Sequence, residues 1–372
     1  MTRHEWAGPD AFLSGAPTRQ SFRGCLLGGA IGDALGAPVE FMTRTQIRER
    51  YGERGIDRFD FAYGRRGAIT DDTQMTMFTA EGLLQALSLR RRGSDARPER
   101  LVYQAYMRWL RTQHFTGVFG SSGSERSGWL IDVPELHEAR APGRTCLSAL
   151  SSGGFGWPGQ PLNNSKGCGG IMRAAPCALV KMWDPYTLAT RVAAITHGHP
   201  SGYIAAGALA VVVRGVLEGK TLEAAVAEAI NRILGERGRD GIECFVALQK
   251  AIDLWKARGP EGDVETLGQG WVADEALSIA VYAAMVGELD PRRGFMIAVN
   301  HSGDSDSTGA IAGNIIGALH GEEWLSRLAF GDVELHEEIV RLADDLMDAW
   351  IDEPGWADRY SDIPVATPSQ SS

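Results

Sequence analysis

The sequence predicts an all-α fold. Apolar residues recur at helical spacing through most of the chain, and alternating strand patterns joined by hairpin turns are nearly absent. A third observation is a glycine stripe, repeating every fourth residue, in two separate stretches.

In chain order, residues 1–20 lack periodicity and are expected to form a flexible N-terminal extension. "GCLLGGAIGDALGAP" opens the helical part, with Gly24, Gly28, Gly32 and Gly36 on one stripe. In "ITDDTQMTMFTAEGLLQAL", Ala80, Leu83, Leu84 and Leu87 fall at i, i+3, i+4 and i+7, a helix face. The stretch from Gly117 to Cys168 is rich in Gly, Ser and Pro and reads as a long loop, which in a compact domain is usually functional. "YIAAGALAVVVRGVLEG" is apolar nearly all round and reads as a buried helix. "TLEAAVAEAINRIL", "DEALSIAVYAAMV" and "EEIVRLADDLMDAW" are further helices. "GAIAGNIIGALHG" carries the second stripe, Gly309, Gly313, Gly317 and Gly321. Residues 356–372 end in the polar segment "PVATPSQSS" and read as a C-terminal tail.

Each glycine inside a helix costs roughly 0.5–1 kcal/mol relative to alanine. Close backbone approach is the benefit that offsets this, so the two striped helices are expected to pack tightly, one stripe against the other. A pair of glycine-rich loops is the alternative. Facing stripes would bring together acids from the two ends of the chain: Asp33 and Glu40 from the first stretch, Asp304 and Asp306 from the second.

Composition sets limits. The chain has 372 residues, 44% of them hydrophobic, a net charge of −10 and a pI near 5.4. That balance disfavours a broad footprint for nucleic acid. The five cysteines, Cys25, Cys146, Cys168, Cys177 and Cys244, are odd in number and form no CxxC pair, which argues against a disulfide framework or structural zinc. The first residues lack an apolar signal core, and no run of about 18 apolar residues occurs. A cytoplasmic protein without a membrane partner is expected.

Three acidic segments remain: Glu40 in "GAPVEF", Thr70, Asp71 and Asp72 in "ITDDTQ", and Asp304, Asp306 and Ser307 in "SGDSDSTG". Taken singly, Thr70–Asp72 and Ser307–Thr308 are helix caps, and Asp71 with Gln74 has capping-box spacing. Taken together they are harder to explain. Two carboxylates 4 Å apart repel by roughly 4 kcal/mol at an effective dielectric near 20. Converging acids need cations, and oxygen donors without a His or Cys cluster select Mg²⁺, Mn²⁺ or Ca²⁺. An EF-hand starting at Asp304 fails because Ile315 stands where a bidentate Glu is required. A phosphate loop of the GxxxxGK[ST] type is absent.

Seven motifs then occur in order: "GCLLGGAIGDALGAPVEF", "ITDDTQMT", "RAPGRTCLSAL", "NNSKGCGGIMRAAP", "ITHGHPSGYIAAGALA", "GWVADEALSIAVYAA" and "NHSGDSDSTGAIAGNIIGALHG". Together they resemble the ADP-ribosylglycohydrolase family, of the dinitrogenase reductase-activating glycohydrolase and ADP-ribosylarginine hydrolase type. The resemblance implies a single compact, orthogonal multi-helix domain, here over residues 21–355. It implies two Mg²⁺ or Mn²⁺ ions and cleavage of the bond from C1″ of ADP-ribose to an acceptor, most simply arginine on a protein.

By motif matching it assigns Thr70, Asp71, Asp72, Asp304, Asp306 and Ser307 to the metals. Many members carry Thr where this chain has Ser307. Glu40 becomes the proton-handling group, with an outer role at the metals as the alternative. Paired cations can orient a diol and lower the pKa of a bound water, and carboxylates can stabilise an oxocarbenium-like state. Asn164, Ser165, Gly167, Cys168 and Gly169 match the binding loop, whose N–H groups would cradle phosphate and ribose. Cys168 stands where some relatives have Asn and reads otherwise as a small buried thiol. His197 matches a histidine near the pyrophosphate and terminal ribose. Lys166 faces either solvent or phosphate. Asp33 satisfies a helix end, Thr308 caps a helix, and Trp271 with Glu275 forms a helix start over a packed aromatic. Glu125 or Asp132 could meet a guanidinium.

Partners implied are an ADP-ribosylated protein or an ADP-ribose-containing small molecule. Serine-, nucleobase- or small-molecule-linked ADP-ribose are alternative substrates. A different class is a non-catalytic ADP-ribose binder, or an immunity protein that blocks an ADP-ribosyltransferase toxin by contact.

Overall fold

A computed structural model of the chain describes residues 16–113, 127–236, 240–328 and 330–361. Its helices are α1 (Arg19–Gly36), α2 (Arg44–Tyr51), α3 (Asp71–Arg91), α4 (Pro98–Thr112), α5 (Arg144–Ser151), α6 (Pro185–Ala194) and α7 (Pro200–Leu217). They continue as α8 (Leu222–Leu234), α9 (Ile242–Arg258), α10 (Ala273–Leu289), α11 (Pro291–Val299), α12 (Ser305–His320), α13 (Glu322–Leu325) and α14 (His336–Trp350). The starts follow local chemistry. Thr18 and Thr43 build capping boxes with Ser21 and Gln46. Pro98, Pro185, Pro200 and Pro291 take the first helical position, where the missing N–H costs nothing.

α7 is the central helix. Its 18 residues have a mean hydropathy of 1.5, enough for a membrane span, yet 94% of them are buried by the surrounding helices. This is the all-round apolar helix expected from the sequence, and it serves as core.

The glycine stripes meet. A Cβ added to Gly24, Gly28 or Gly32 would fall inside the carbonyls of Gly317, Gly313 and Gly309, and the reverse substitutions clash in the same way. The pairing runs in opposite directions along the chain, so α1 and α12 are antiparallel and their backbones touch. Asn314 Nδ2 donates to the Cys25 carbonyl across the seam at 2.8 Å. The C-terminal end of α1 therefore lies beside the N-terminal end of α12, where Gly36 packs on Ser305.

Four features refine the sequence reading. The 117–168 stretch is not wholly loop, because Cys146, Ala149 and Leu150 bury one face of α5; Glu125 in that stretch lies outside the described residues. A minimal hairpin exists, β1 (Phe61–Ala62) paired antiparallel with β2 (Arg65–Arg66), turned by Tyr63 and Gly64 at φ 48° and 81°. Two-residue strands leave no alternation to read. The N-terminal extension ends earlier than residue 20: α1 starts at Arg19, whose guanidinium bonds Asp348 at 2.6 Å. The C-terminal tail starts later than residue 356. Trp356 and Tyr360 are buried, and the Tyr360 hydroxyl donates to Asp345 at 2.7 Å.

Candidate metal centre and substrate loop

Three helix ends converge. The turn after α1 carries Glu40, the start of α3 carries Thr70, Asp71 and Asp72, and the start of α12 carries Asp304, Asp306 and Ser307. All are buried; Glu40, the most accessible, is 7% exposed. One oxygen each from Glu40, Asp304 and Asp306 lies within 4.8 Å of the others, a spacing that can hold a metal ion. Glu40 Oε2 and Asp72 Oδ1 are buried without any hydrogen-bond partner. Buried polar atoms are almost always paired, so these orphaned oxygens fit a cation. The N-terminal dipoles of α3 and α12 favour negative charge here.

Electrostatics point the same way. Burial, then repulsion from Asp306, Asp304, Asp71 and Asp33, raises the Glu40 pKa to about 11. Burial lifts Asp71, Asp72 and Asp304 well above the usual carboxylate range, with Asp306 adding to each. Without a counter-charge this crowding disfavours the ionised carboxylates.

Asp33 behaves as expected, with a twist. It satisfies a helix end, but that of α3, accepting from the Thr70 N–H (3.0 Å), the Thr73 N–H (3.1 Å) and the Thr73 hydroxyl (2.5 Å). It thereby fixes the Thr70–Asp72 turn against α1. Burial, then Asp306, raises its pKa to about 7. The turn is held from the other side by the buried Arg140–Glu334 pair: Arg140 bonds the Ile69 carbonyl at 3.1 Å, and Glu334 accepts the Ile69 N–H at 3.2 Å.

Two capping expectations fail. Gln74 does not complete a box with Asp71; its side chain accepts from Trp109 Nε1 and donates to the Glu138 carbonyl, both at 3.0 Å. Thr308 does not cap α12. Its hydroxyl sits 2.7 Å from the Ala298 and Asp304 carbonyls, and Asp304 occupies the cap position without a side-chain cap bond. Freed from capping, the Asp304 carboxylate faces the acid cluster.

The opposite side is a loop, residues 163–170, braced by the turn before α7. Asn163 organises it: its Oδ1 accepts from the Ser165 (3.0 Å) and Gly198 (3.1 Å) N–H groups, and its Nδ2 donates to the Thr196 carbonyl at 2.7 Å. The matched residue Asn164 is exposed on the surface instead. The signal for Asn163 was present, since an Asn two residues before an N–H it can cap makes an Asx turn.

Three of the N–H groups expected to form the cradle have partners within the protein. The amides of Ser165, Gly167 and Cys168 are spent on Asn163 Oδ1, Ser165 Oγ (3.3 Å) and the Trp271 carbonyl (3.2 Å). The glycines serve a different need, because a side chain at Gly169 would meet His197 Cε1 at 3.0 Å. His197 is buried, its Nδ1 2.8 Å from Thr196 Oγ1. Burial first, then the Arg173 charge, lowers its pKa to about 3. His199 caps α7, accepting the Ser201 N–H at 3.1 Å, and Lys166 turns away to pair with Glu243 at 3.1 Å.

Cys168 joins the two sides. Its thiol donates to Asp304 Oδ2 at 2.7 Å, and the Ser307 hydroxyl reaches its sulfur at 3.7 Å. Burial, then Asp304, raises the thiol pKa, so Cys168 is no nucleophile here. Trp271 is not packed beneath a helix. It is 39% exposed and stacks at 5.8 Å on Phe41, which follows Glu40 and is 73% exposed. Glu275 holds the preceding turn, accepting from the Gln269 (3.0 Å) and Gly270 (3.3 Å) N–H groups. Asp132 is exposed on a short 3-10 turn.

Comparison with known proteins gives a consistent result. The family model described as ADP-ribosylglycohydrolase matches residues 14–354. The ADP-ribosyl-dinitrogen reductase glycohydrolase of Rhodospirillum rubrum is 27% identical over 346 residues, 90% of this chain and 98% of that protein. The ADP-ribosylarginine hydrolase Tri1 of Pseudomonas putida (strain GB-1) is 26% identical over 340 residues, 88% of this chain and 77% of that protein. A solved structure, an ADP-ribosylglycohydrolase-related protein complex, matches with a TM-score of 0.60 at 25% identity, covering 92% of this chain and 98% of that one.

Proposed function

This chain belongs to the ADP-ribosylglycohydrolase family, and from that premise we propose that it removes ADP-ribose from arginine on proteins with the help of two Mg²⁺ or Mn²⁺ ions. It is a hydrolase of glycosidic bonds. The observation that carries the metal-dependent reading is the buried acid cluster, with Glu40 Oε2 and Asp72 Oδ1 unpartnered and three carboxylates within 4.8 Å. The arginine acceptor is supported by the names of relatives that are ADP-ribosylarginine hydrolases, and by the acidic surroundings a guanidinium leaving group would meet.

In this reading Thr70, Asp71, Asp72, Asp304, Asp306 and Ser307 hold the ions. Bound cations would anchor the 2″ and 3″ hydroxyls and lower the pKa of a bound water. Glu40 handles the proton. Hydrolysis joins a water oxygen to C1″ and breaks the bond to the guanidine nitrogen, which departs with a proton; Glu40, with its unpartnered Oε2, takes the proton from the water or delivers it to the leaving nitrogen. The fixed loop of Ser165, Gly167, Cys168 and Gly169, with His197 behind it, orients the ADP-ribose. Trp271 offers the adenine an exposed aromatic face, a contact worth about 1–3 kcal/mol per base.

A substrate panel tests the proposal. Arginine-, serine- and nucleotide-linked ADP-ribose would each be incubated with Mg²⁺, Mn²⁺ or EDTA, and free ADP-ribose measured. Release from the arginine linkage alone, abolished by EDTA, is expected. Turnover in EDTA removes the metal reading, and preference for serine reassigns the acceptor.

A further inference from the structure

Arg173 is fully buried, and among the described residues no carboxylate pairs with it. Its Nη1 donates to Met75 Sδ at 3.2 Å and Cys146 Sγ at 3.3 Å, Nε has no partner, and the guanidinium lies 4.3 Å from the Tyr106 ring centre. Among carboxylates its charge reaches Asp71, whose burial-raised pKa it pulls back without pairing; a buried cation without a direct ion pair is costly, and nothing in the hydrolysis above uses it. Its one short bond runs from Nη2 to Thr196 Oγ1 at 2.6 Å.

That bond has a chemical consequence one residue further on. A guanidinium only donates, so the Thr196 hydroxyl must accept from it. The hydroxyl keeps its own proton, and His197 Nδ1 stands 2.8 Å away. Donation into Nδ1 leaves that nitrogen bare and puts the ring proton on Nε2. The Nε2 edge faces Gly167 and Gly169, where added side chains would stand 3.5 and 3.2 Å from Nε2 and neither residue has one. The glycines keep that edge clear.

We propose that Arg173 and Thr196 are positioning residues that lock His197 as the Nε2–H tautomer, so that it presents a neutral N–H donor to a phosphate or ribose oxygen of the substrate. This rests on the reading of His197 as an ADP-ribose contact. Burial, with the Arg173 charge second, drives the His197 pKa down to about 3, in keeping with a ring that stays neutral and donates through one nitrogen only. The fixed positive charge biases the direction: it occupies one lone pair of Thr196 Oγ1 and makes the hydroxyl a stronger donor toward Nδ1. A neutral partner at position 173 could accept as well as donate.

The test is spectroscopic and uses the full chain. Histidine-selective ¹⁵N labelling with long-range ¹H–¹⁵N correlation distinguishes the two tautomers, and His197→Gln identifies the signal. Wild type is expected as Nε2–H at neutral pH. Thr196→Val, which keeps shape and removes the hydroxyl, is expected to mix the tautomers and weaken ADP-ribose binding roughly tenfold. Thr196→Ser is expected to restore both. An Nδ1–H or doubly protonated ring in wild type overturns the proposal, as does an unchanged tautomer in Thr196→Val. If the tautomer behaves as expected but neither Thr196→Val nor His197→Gln changes ADP-ribose affinity, the donor role falls, and with it the assignment of His197 to the substrate.

Discussion

The acid side of the site and the loop side opposite differ in how their polar groups are satisfied. On the acid side, Glu40 and Asp72 each leave a buried oxygen unpartnered, and neighbouring carboxyls raise one another's pKa. On the loop side, the amides of Ser165, Gly167, Cys168 and Gly198 all have internal partners. The first leaves polar groups unsatisfied and fits a cation; the second is satisfied within the protein. Function and stability should therefore separate on one side and coincide on the other.

The sharpest break in that comparison is Asp304→Asn with Asp306→Asn. Hydrolysis should fall by more than the roughly 10–100-fold that losing an outer-shell metal partner costs. The metal-free protein should nevertheless melt higher than wild type, because two mutually repelling buried acids are gone. Assays with and without EDTA, paired with thermal melts, check both halves. Full activity in the double variant would remove the acid side from the chemistry. Asn163→Ala should move both quantities down together. It strands the Ser165 and Gly198 N–H groups and the Thr196 carbonyl, at about 1–3 kcal/mol for each buried group left unpaired, and denaturant titration measures the loss.

The pH response should carry opposite signs on the two sides. Asp33 and Glu40 have folded pKa values raised to about 7 and about 11. Their folded forms bind protons more tightly than the unfolded chain, so their contribution is complete below the ordinary carboxylate pKa and is lost as pH rises through 7 and beyond. His197, lowered to about 3, stabilises above the ordinary histidine pKa and loses that contribution as pH falls toward 3. In EDTA, the melting temperature should decline as pH rises from about 5 to about 8, where the raised carboxyls dominate. Mn²⁺ should cancel the decline and release protons on binding, measurable in weak buffer. The smallest effect concerns the rim: Trp271→Phe should change ADP-ribose affinity only slightly, whereas Trp271→Ala should lose stacking.

The glycine seam was legible in the sequence because a glycine at every fourth helical position weakens the helix unless another backbone lies against it. Glu40, Asp71, Asp72, Asp304 and Asp306 were legible because motifs from both ends of the chain match one family, and the seam supplies the geometry. Residues that act by hydrogen bonding across loops were harder. Asn163 and Asn164 are adjacent and chemically alike, and only the backbone decides which turns inward. Arg173 sits among alanines and methionine with no acid nearby in sequence to announce its charge. α5 was hidden because its short apolar face lies in a stretch dominated by Gly, Ser and Pro. The segment from Trp356 to Tyr360 looks like tail because its partners, Ser88 on the Ala357 carbonyl and Asp345 on Tyr360, lie elsewhere in the chain.

The seam between α1 and α12 also governs when the molecule can become active. Cys25 and Asn314, bonded across it, are 289 residues apart. During synthesis α1 leaves the ribosome early, yet its glycine stripe has no partner until nearly the whole chain has followed. Long-range closure of this kind is slow. The clustered acids stay scattered until that closure occurs, so on the proposed reading hydrolytic competence reports completion of the fold, and a chain stalled before residue 300 lacks Asp304 and Asp306 altogether.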